Sequence, residues 1–111
     1  ILPIFRGMVS TIYCDLNTNI KKNYVIDSLK SIFINKHFVK ILSDEDKADF
    51  FSIRNTNNCL IKMFDHYDET KIIIVSVIDN LLKGASGQAV QCMNIMCGIE
   101  ENIGLDNLNC E

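Results

Sequence analysis

The chain has no tryptophan, a single proline, and no apolar run near the ~20 residues that span a bilayer. It also has no excess of positive charge, since 11 Lys and Arg stand against 14 Asp and Glu, a net charge of −3. This balance argues against binding nucleic acid or an anionic membrane through bulk charge. The start at Ile1 has no signal-peptide organisation and no Met, so we expect a segment cut from something longer. With 111 residues, 48% of them hydrophobic, one small domain or a piece of a larger one is predicted.

The cysteines lack the spacing of a metal or redox site. There are five of them: Cys14, Cys59, Cys92, Cys97 and Cys110. No Cys-x-x-Cys is present, and Cys92 and Cys97 would lie ~140° apart on a helix, so no metal site is predicted. An odd number without secretory features predicts reduced thiols in a cytosolic type of compartment, each a small buried side chain. His37 and His66 have no partner at ligand spacing and are predicted to be structural or surface residues.

Hydrophobic periodicity predicts four strands and two helices. In chain order these are a strand over 8–14, a helix over 21–35, strands over 37–42, 57–64 and 71–78, and a helix over 84–97, with Gly98 as its stop. The continuous β-branched run 71–78 is typical of a central strand covered on both faces. This order predicts an α+β fold with a mixed, mostly antiparallel sheet and the helices on one face.

Residues 77–94 are the most informative segment. A buried strand ends in Asp79-Asn80, and after Lys83 the helix opens almost entirely with small residues: Gly84, Ala85, Ser86, Gly87 and Ala89. Each glycine costs a helix ~1 kcal/mol relative to alanine, so small residues here indicate that something approaches the helix closely. Close packing against another domain and direct contact with a ligand both fit. The segment is not a phosphate loop, because Lys83 precedes the glycines.

Three motifs carry a resemblance to a known family. Residues 79–94, followed by Gly98 and Gly104-Leu105, closely resemble the C-terminal signature of the N-acetyl-γ-glutamyl-phosphate reductases, which belong to the semialdehyde dehydrogenase and glyceraldehyde-3-phosphate dehydrogenase-like superfamily. Residues 2–8 resemble the family's Pro-x-x-Arg-Gly segment, and residues 56–59 resemble its Thr-Asn-x-Cys segment. The chain departs from the family pattern at His37, Cys92 and Cys97.

The resemblance implies the C-terminal portion of an NADPH-dependent oxidoreductase of arginine biosynthesis. Such an enzyme reduces an acyl phosphate, N-acetylglutamyl 5-phosphate, to the 5-semialdehyde through a thioester on a cysteine that lies upstream of this segment. Residues 1–78 would then form part of an α+β substrate and dimerisation domain, and residues 79–111 a turn and helix that return to an NADP-binding Rossmann domain absent from this segment. A cytoplasmic homo-oligomer is implied, with no catalytic residue in the segment itself.

The resemblance also suggests site residues. Asn80 is the candidate to bind the nicotinamide carboxamide of NADP, because its amide offers both a donor and an acceptor; the alternative is an Asx cap on the turn. Gly84 would lie against the cofactor. Arg6 is the candidate to orient a substrate carboxylate or phosphate, and the alternative is a structural ion pair. Lys83 is either near the cofactor phosphates or a lysine that bonds a carbonyl.

Two other readings remain open. The chain could be the corresponding part of an aspartate-semialdehyde dehydrogenase, which shares the chemistry and a related Asn-x-x-Lys-Gly-Ala turn. It could also be a non-catalytic dimerising fragment that binds no cofactor. Removing the nucleotide domain should expose the apolar stripe of the last helix, so the isolated chain is expected to be poorly soluble or to self-associate.

Overall fold

A computed structural model describes residues 3–106 and shows one mixed four-stranded sheet. The strands are β1 Met8–Asp15, β2 Val39–Ile41, β3 Cys59–Asp65 and β4 Lys71–Ile78, in the spatial order β1-β4-β3-β2. Only β2 and β3 are parallel. Helix α1, Lys22–Phe33, connects β1 to β2, and β4 is followed by a π-helical turn, Leu82–Ser86, and helix α2, Gly87–Met96. The predicted α+β class and mixed sheet are confirmed.

The start of the last helix was predicted wrongly. Helical structure begins at Leu82 as a π-helical turn rather than at Gly84 as an α-helix. Backbone bonds from Gly84 N to Asp79 O (2.9 Å) and from Ser86 N to Leu81 O (3.3 Å) close five-residue rings that widen the turn. The predicted stop is confirmed, because Gly98 has φ +70° and lies just after the C-cap of α2.

Strand β4 is central in the sheet, as predicted, but it is not fully covered. It pairs with β1 on one side and β3 on the other, and its Val77 joins Ile53 and Leu60 in the buried core cluster. Within β4 only Ile72 and Val77 are buried, and the other residues are half-buried. The expectation of cover on both faces is therefore wrong for the described part of the chain, since the layers present leave β4 incompletely shielded.

The two faces of the sheet differ in what covers them. Helix α1 contacts β2 and β3, and its Ile26 lines a groove with Met63. Met63 and Ile12 both pair with Ile74, so α1 lies on the face that these three residues share. Alternation places Thr11 on the opposite face. We call the exposed part of that opposite face the open face; it comprises Val9, Thr11 and Tyr13 of β1, Ile73 of β4 and Phe64 of β3. Val9, Tyr13 and Phe64 are exposed there.

Neither helix among residues 3–106 has both the length and the apolar character that crossing a membrane requires.

Candidate functional site

The end of β4 carries a fully buried carboxylate. Asp79 is 0% exposed, and its Oδ1 accepts the N–H groups of Leu81 (2.9 Å) and Leu82 (3.2 Å), the N-cap and the first residue of the π-helical turn. Its Oδ2 accepts the N–H of Asn55 (2.9 Å) and lies 3.0 Å from Arg6 Nε. One side chain thus joins three segments that are distant in sequence. The Asx cap, which the sequence left open as the alternative role of Asn80, is made by Asp79 instead.

Arg6 is held by this carboxylate rather than left free. Its Nε pairs with Asp79 as an ion pair, although the N–H does not point at the oxygen, and its Nη1 bonds Asn55 Oδ1. The side chain is only 16% exposed. This geometry favours the structural-ion-pair alternative. A direct role of Arg6 in binding substrate stays a prediction that rests on its remaining guanidinium nitrogen.

Asn80 lies next to the buried carboxylate and is itself half-buried. Its Oδ1 accepts the N–H of Gly7 at 2.7 Å. Its Nδ2 donates to no group within residues 3–106, so this donor is available to a ligand. The predicted cofactor residue therefore has its acceptor occupied and its donor free.

Gly7 makes this arrangement possible. Its φ of +126° is a conformation that L-residues rarely adopt, and a Cβ there would collide with the ring of Phe50. The backbone at Gly7 can therefore approach both the Phe50 ring and the amide of Asn80. The glycine of the Arg6-Gly7 motif thus has a conformational and a steric role.

The glycines of the turn and helix have different surroundings. Gly84 is exposed, and a Cβ there would meet Ile78 Cδ1 only at an ordinary 3.5 Å. Gly87 is buried, and a Cβ there would overlap Asn57 Oδ1 and lie 3.0 Å from the backbone of Leu82. Close packing therefore explains Gly87, and the neighbour is the chain's own Asn57. Contact of Gly84 with a cofactor stays a prediction.

Helix α2 attaches to the rest of the chain through polar residues. Gln91 is buried; its Oε1 accepts from Asn57 Nδ2 (3.0 Å) and Lys83 Nζ (2.7 Å), and its Nε2 donates to Glu101 Oε2 (2.7 Å). Asn94 Nδ2 donates to the carbonyls of Glu101 and Ile103. The opposite side of the helix is exposed. That side is the predicted apolar stripe, which we call the α2 stripe: Ala85, Ala89, Cys92, Met93 and Met96.

Two charged groups flank this polar attachment. Burial lowers the pKa of the Lys83 ammonium, and the nearby Cys59 and Glu101 offset this only in part. The backbone N–H of His37 lowers the pKa of Glu101, with a further hydrogen bond from Gln91. Lys83 donates to a side-chain carbonyl and lies 5.6 Å from the centroid of the Phe38 ring, which agrees with the carbonyl-bonding alternative.

The cysteine and histidine predictions are met only in part. Cys14 and Cys59 are half-buried, but Cys92 and Cys97 are exposed, so their interpretation as buried side chains was wrong. Cys92 belongs to the exposed α2 stripe, and Cys97 is the C-cap residue of α2. Cys110 lies outside the described residues. His37 pairs with Asp106 at 2.6 Å, and His66 Nδ1 accepts a local backbone N–H. Residues 3–106 contain no cluster of metal ligands.

Comparison with known proteins identifies the family. Residues 1–80 match the family described as "Semialdehyde dehydrogenase, dimerisation domain". The chain belongs to this family. It is also 43% identical over 106 residues to an N-acetyl-gamma-glutamyl-phosphate reductase of Clostridium botulinum, a match that covers 96% of this chain and 31% of that protein. A probable chloroplastic N-acetyl-gamma-glutamyl-phosphate reductase of Arabidopsis thaliana is 39% identical, covering 95% of this chain and 26% of that protein.

The semialdehyde dehydrogenase fold is also found in a solved structure. Aspartate semialdehyde dehydrogenase II of Vibrio cholerae, solved in complex with ASA, matches with a TM-score of 0.65 and 15% identity. The match covers 87% of this chain and 29% of that one, and at this identity it shows the fold alone. The resemblance drawn from the sequence motifs is confirmed. The chain spans about a third of the length of the curated reductases that it matches.

Proposed function

We propose that this chain is the C-terminal part of an NADPH-dependent N-acetyl-γ-glutamyl-phosphate reductase of arginine biosynthesis, a cytoplasmic enzyme. The identity of 43% to a curated reductase over nearly the whole chain is the observation that carries the proposal. The aspartate-semialdehyde dehydrogenase alternative has 15% identity and a shared fold in its support, which is weaker. The acyl-phosphate substrate would form a thioester on a cysteine of the upstream portion, so none of the cysteines here is the nucleophile.

The turn after β4 suits the nicotinamide end of NADPH. Asn80 Nδ2 is a free donor on a fixed side chain. The adjacent residues Gly84, Ala85 and Ser86 are exposed and small, so they leave room for a ligand beside this donor. When bound, the cofactor would supply the hydride that reduces the thioester. The part of this chain would be to hold the carboxamide through Asn80 and to let the ring approach the small residues.

The orientation of α2 supports a second domain on its far side. Polar residues attach the helix to its own domain, while Met93 and Met96 of the α2 stripe are 54% and 86% exposed. Apolar side chains at this exposure favour burial against another surface. We propose that residues 79–111 pack on the NADP-binding domain of the complete protein, and that residues 1–78 belong to the substrate and dimerisation domain.

A direct assay tests this function. The chain joined to its natural upstream sequence is expected to reduce NADP⁺ in a phosphate-dependent reaction with N-acetylglutamate 5-semialdehyde. In that protein Asn80→Ala should raise the KM for NADP⁺ about tenfold, because one hydrogen bond to the cofactor is lost, with a smaller change in the KM for phosphate. An unchanged KM for NADP⁺ in an active Asn80→Ala enzyme would refute the role of Asn80. A folded complete protein without activity would favour the non-catalytic dimerising alternative.

We also propose that the open face forms the contact between subunits. The family is a dimerisation domain, and this face exposes Val9, Tyr13 and Phe64, while helix α1 contacts β2 and β3 on the other face. Apolar side chains exposed on the face of a sheet are suited to burial against a second copy of the same surface.

Paired substitutions on β1 test that contact. Thr11 lies on the open face and Ser10 on the α1 side, and both are exposed. Thr11→Arg is expected to shift the complete protein from oligomer to monomer at micromolar concentration, because a buried charge would lack a partner. Ser10→Arg should leave the oligomer intact. Sedimentation equilibrium measures the oligomeric state of both variants. Dissociation by Ser10→Arg alone would show that the subunit contact lies on the α1 side of the sheet.

A further inference from the structure

Asp79 and the candidate cofactor residue Asn80 are neighbours in the chain, and they contact two residues that are also neighbours, Arg6 and Gly7. Asp79 holds Arg6, and the following residue, Asn80, accepts the N–H of Gly7 (2.7 Å), the residue that follows Arg6. The same carboxylate binds the N–H groups of Leu81 and Leu82, which follow Asn80. Asp79 therefore binds the backbone that follows Asn80, and it holds the residue next to Gly7, whose N–H the Asn80 side chain accepts.

These contacts leave only the Nδ2 donor of Asn80 able to bind a ligand in a defined orientation. Since Gly7 occupies Oδ1, the amide cannot rotate by 180° without placing Nδ2 against the Gly7 N–H. The free Nδ2 is therefore directed away from Gly7 in a defined orientation. That orientation depends on the position of Gly7, whose neighbour Arg6 is ion-paired with Asp79.

We propose that Asp79 is a positioning residue for cofactor binding, which aligns the Asn80 amide by fixing the 6–7 segment and the π-helical turn together. The proposal rests on the proposed function, because it requires that Asn80 binds the nicotinamide carboxamide. It adds that the buried carboxylate, which touches neither cofactor nor substrate, sets the affinity for the cofactor through Asn80.

The test compares NADPH affinity in variants of the complete protein. Asp79→Asn keeps the size of the side chain but loses the charge that holds Arg6. It is expected to raise the Kd for NADPH, measured by cofactor fluorescence in the absence of substrate, by about five- to tenfold. Asp106→Asn is the matched control: Asp106 pairs with His37, has no contact with Asn80, and should leave the Kd unchanged.

A double variant separates positioning from a merely structural role. If Asp79 acts through Asn80, the variant Asp79→Asn with Asn80→Ala should bind NADPH as weakly as Asn80→Ala alone, because the aligned group is already absent. A lower melting temperature with unchanged Kd, or fully additive losses in the double variant, would overturn the proposal. An Asn80→Ala protein that binds NADPH normally would instead refute the cofactor role of Asn80 itself.

A second variant keeps the test decisive if Asp79→Asn does not fold. Arg6→Lys retains a positive charge near the carboxylate but loses the planar guanidinium that reaches both Asp79 and Asn55. It should weaken NADPH binding in the same direction by about two- to threefold. A folded Arg6→Lys protein with wild-type affinity for NADPH would count against the proposed alignment.

Discussion

Arg6→Met is expected to destabilise the protein by about 3 to 5 kcal/mol, because it leaves the carboxylate of Asp79 buried without its counter-charge. Asp79 is 0% exposed, so water cannot replace the guanidinium. The backbone N–H groups of Asn55, Leu81 and Leu82 would remain as partners, but they carry no net charge. Urea unfolding of the complete protein, followed by circular dichroism, measures the loss.

Arg54→Met is the matched control for this prediction. Arg54 is exposed and forms no ion pair with residues 3–106, so its replacement should change stability by less than about 0.5 kcal/mol. Adding Asp79→Asn to Arg6→Met should recover part of the loss, since the buried charge is then removed. Equal effects of the two arginine substitutions would show that Arg6 does not compensate a buried charge.

Gly87→Ala should give the second large effect, a destabilisation of about 2 to 3 kcal/mol. The new methyl group would overlap Asn57 Oδ1 and press on the backbone of Leu82. Asn57 is only 1% exposed, and Gln91 holds its Nδ2, so the side chain cannot move aside without breaking that bond. The melting temperature of the complete protein measures the change.

Gly84→Ala is the comparison for Gly87→Ala. The added methyl group at Gly84 meets its neighbours at 3.5 Å or more, so it should be neutral or stabilising by up to ~1 kcal/mol. Similar losses at the two glycines would mean that chain flexibility, and not close packing on Asn57, explains the glycine at position 87.

The sheet could be predicted because its signal is local. Strand β4 was predicted with its observed bounds, Lys71–Ile78, since a β-branched run marks a strand at the centre of a sheet. The stop at Gly98 was equally local, because a positive φ after a helix favours glycine. The shorter β2 and the later start of β3 were not predictable at this level, since strand ends depend on where the partner strand is in register.

The site depends on contacts that are distant in sequence. The bond from Asn55 to Asp79 spans 24 residues and that from Gly7 to Asn80 spans 73, so no window of the sequence reveals either one. The available signal for the cap was Asp79, an aspartate at the end of a buried strand. The cap was considered only at the neighbouring Asn80. Asn55, with φ +60°, gave no signal either, because its conformation follows from the turn that it closes.

Helix α2 shows why periodicity alone could not orient it. The stripe of apolar residues was found correctly, but the described domain buries the opposite residues, Gly87, Gln91 and Asn94. An amphipathic pattern indicates which side of a helix is apolar and favours burial, but it does not indicate which domain covers that side. An apolar stripe left exposed while amides are buried is the feature that supports a second domain.

The preference between two semialdehyde substrates separates the two enzyme assignments. The complete protein should be assayed with N-acetylglutamate 5-semialdehyde and with aspartate semialdehyde, under the same phosphate and NADP⁺ concentrations. We expect kcat/KM to favour the acetylated substrate by about 100-fold or more, as for a site built around a polar group that the competitor lacks. A preference for aspartate semialdehyde, or equal activity with both, would contradict assignment as an N-acetyl-γ-glutamyl-phosphate reductase.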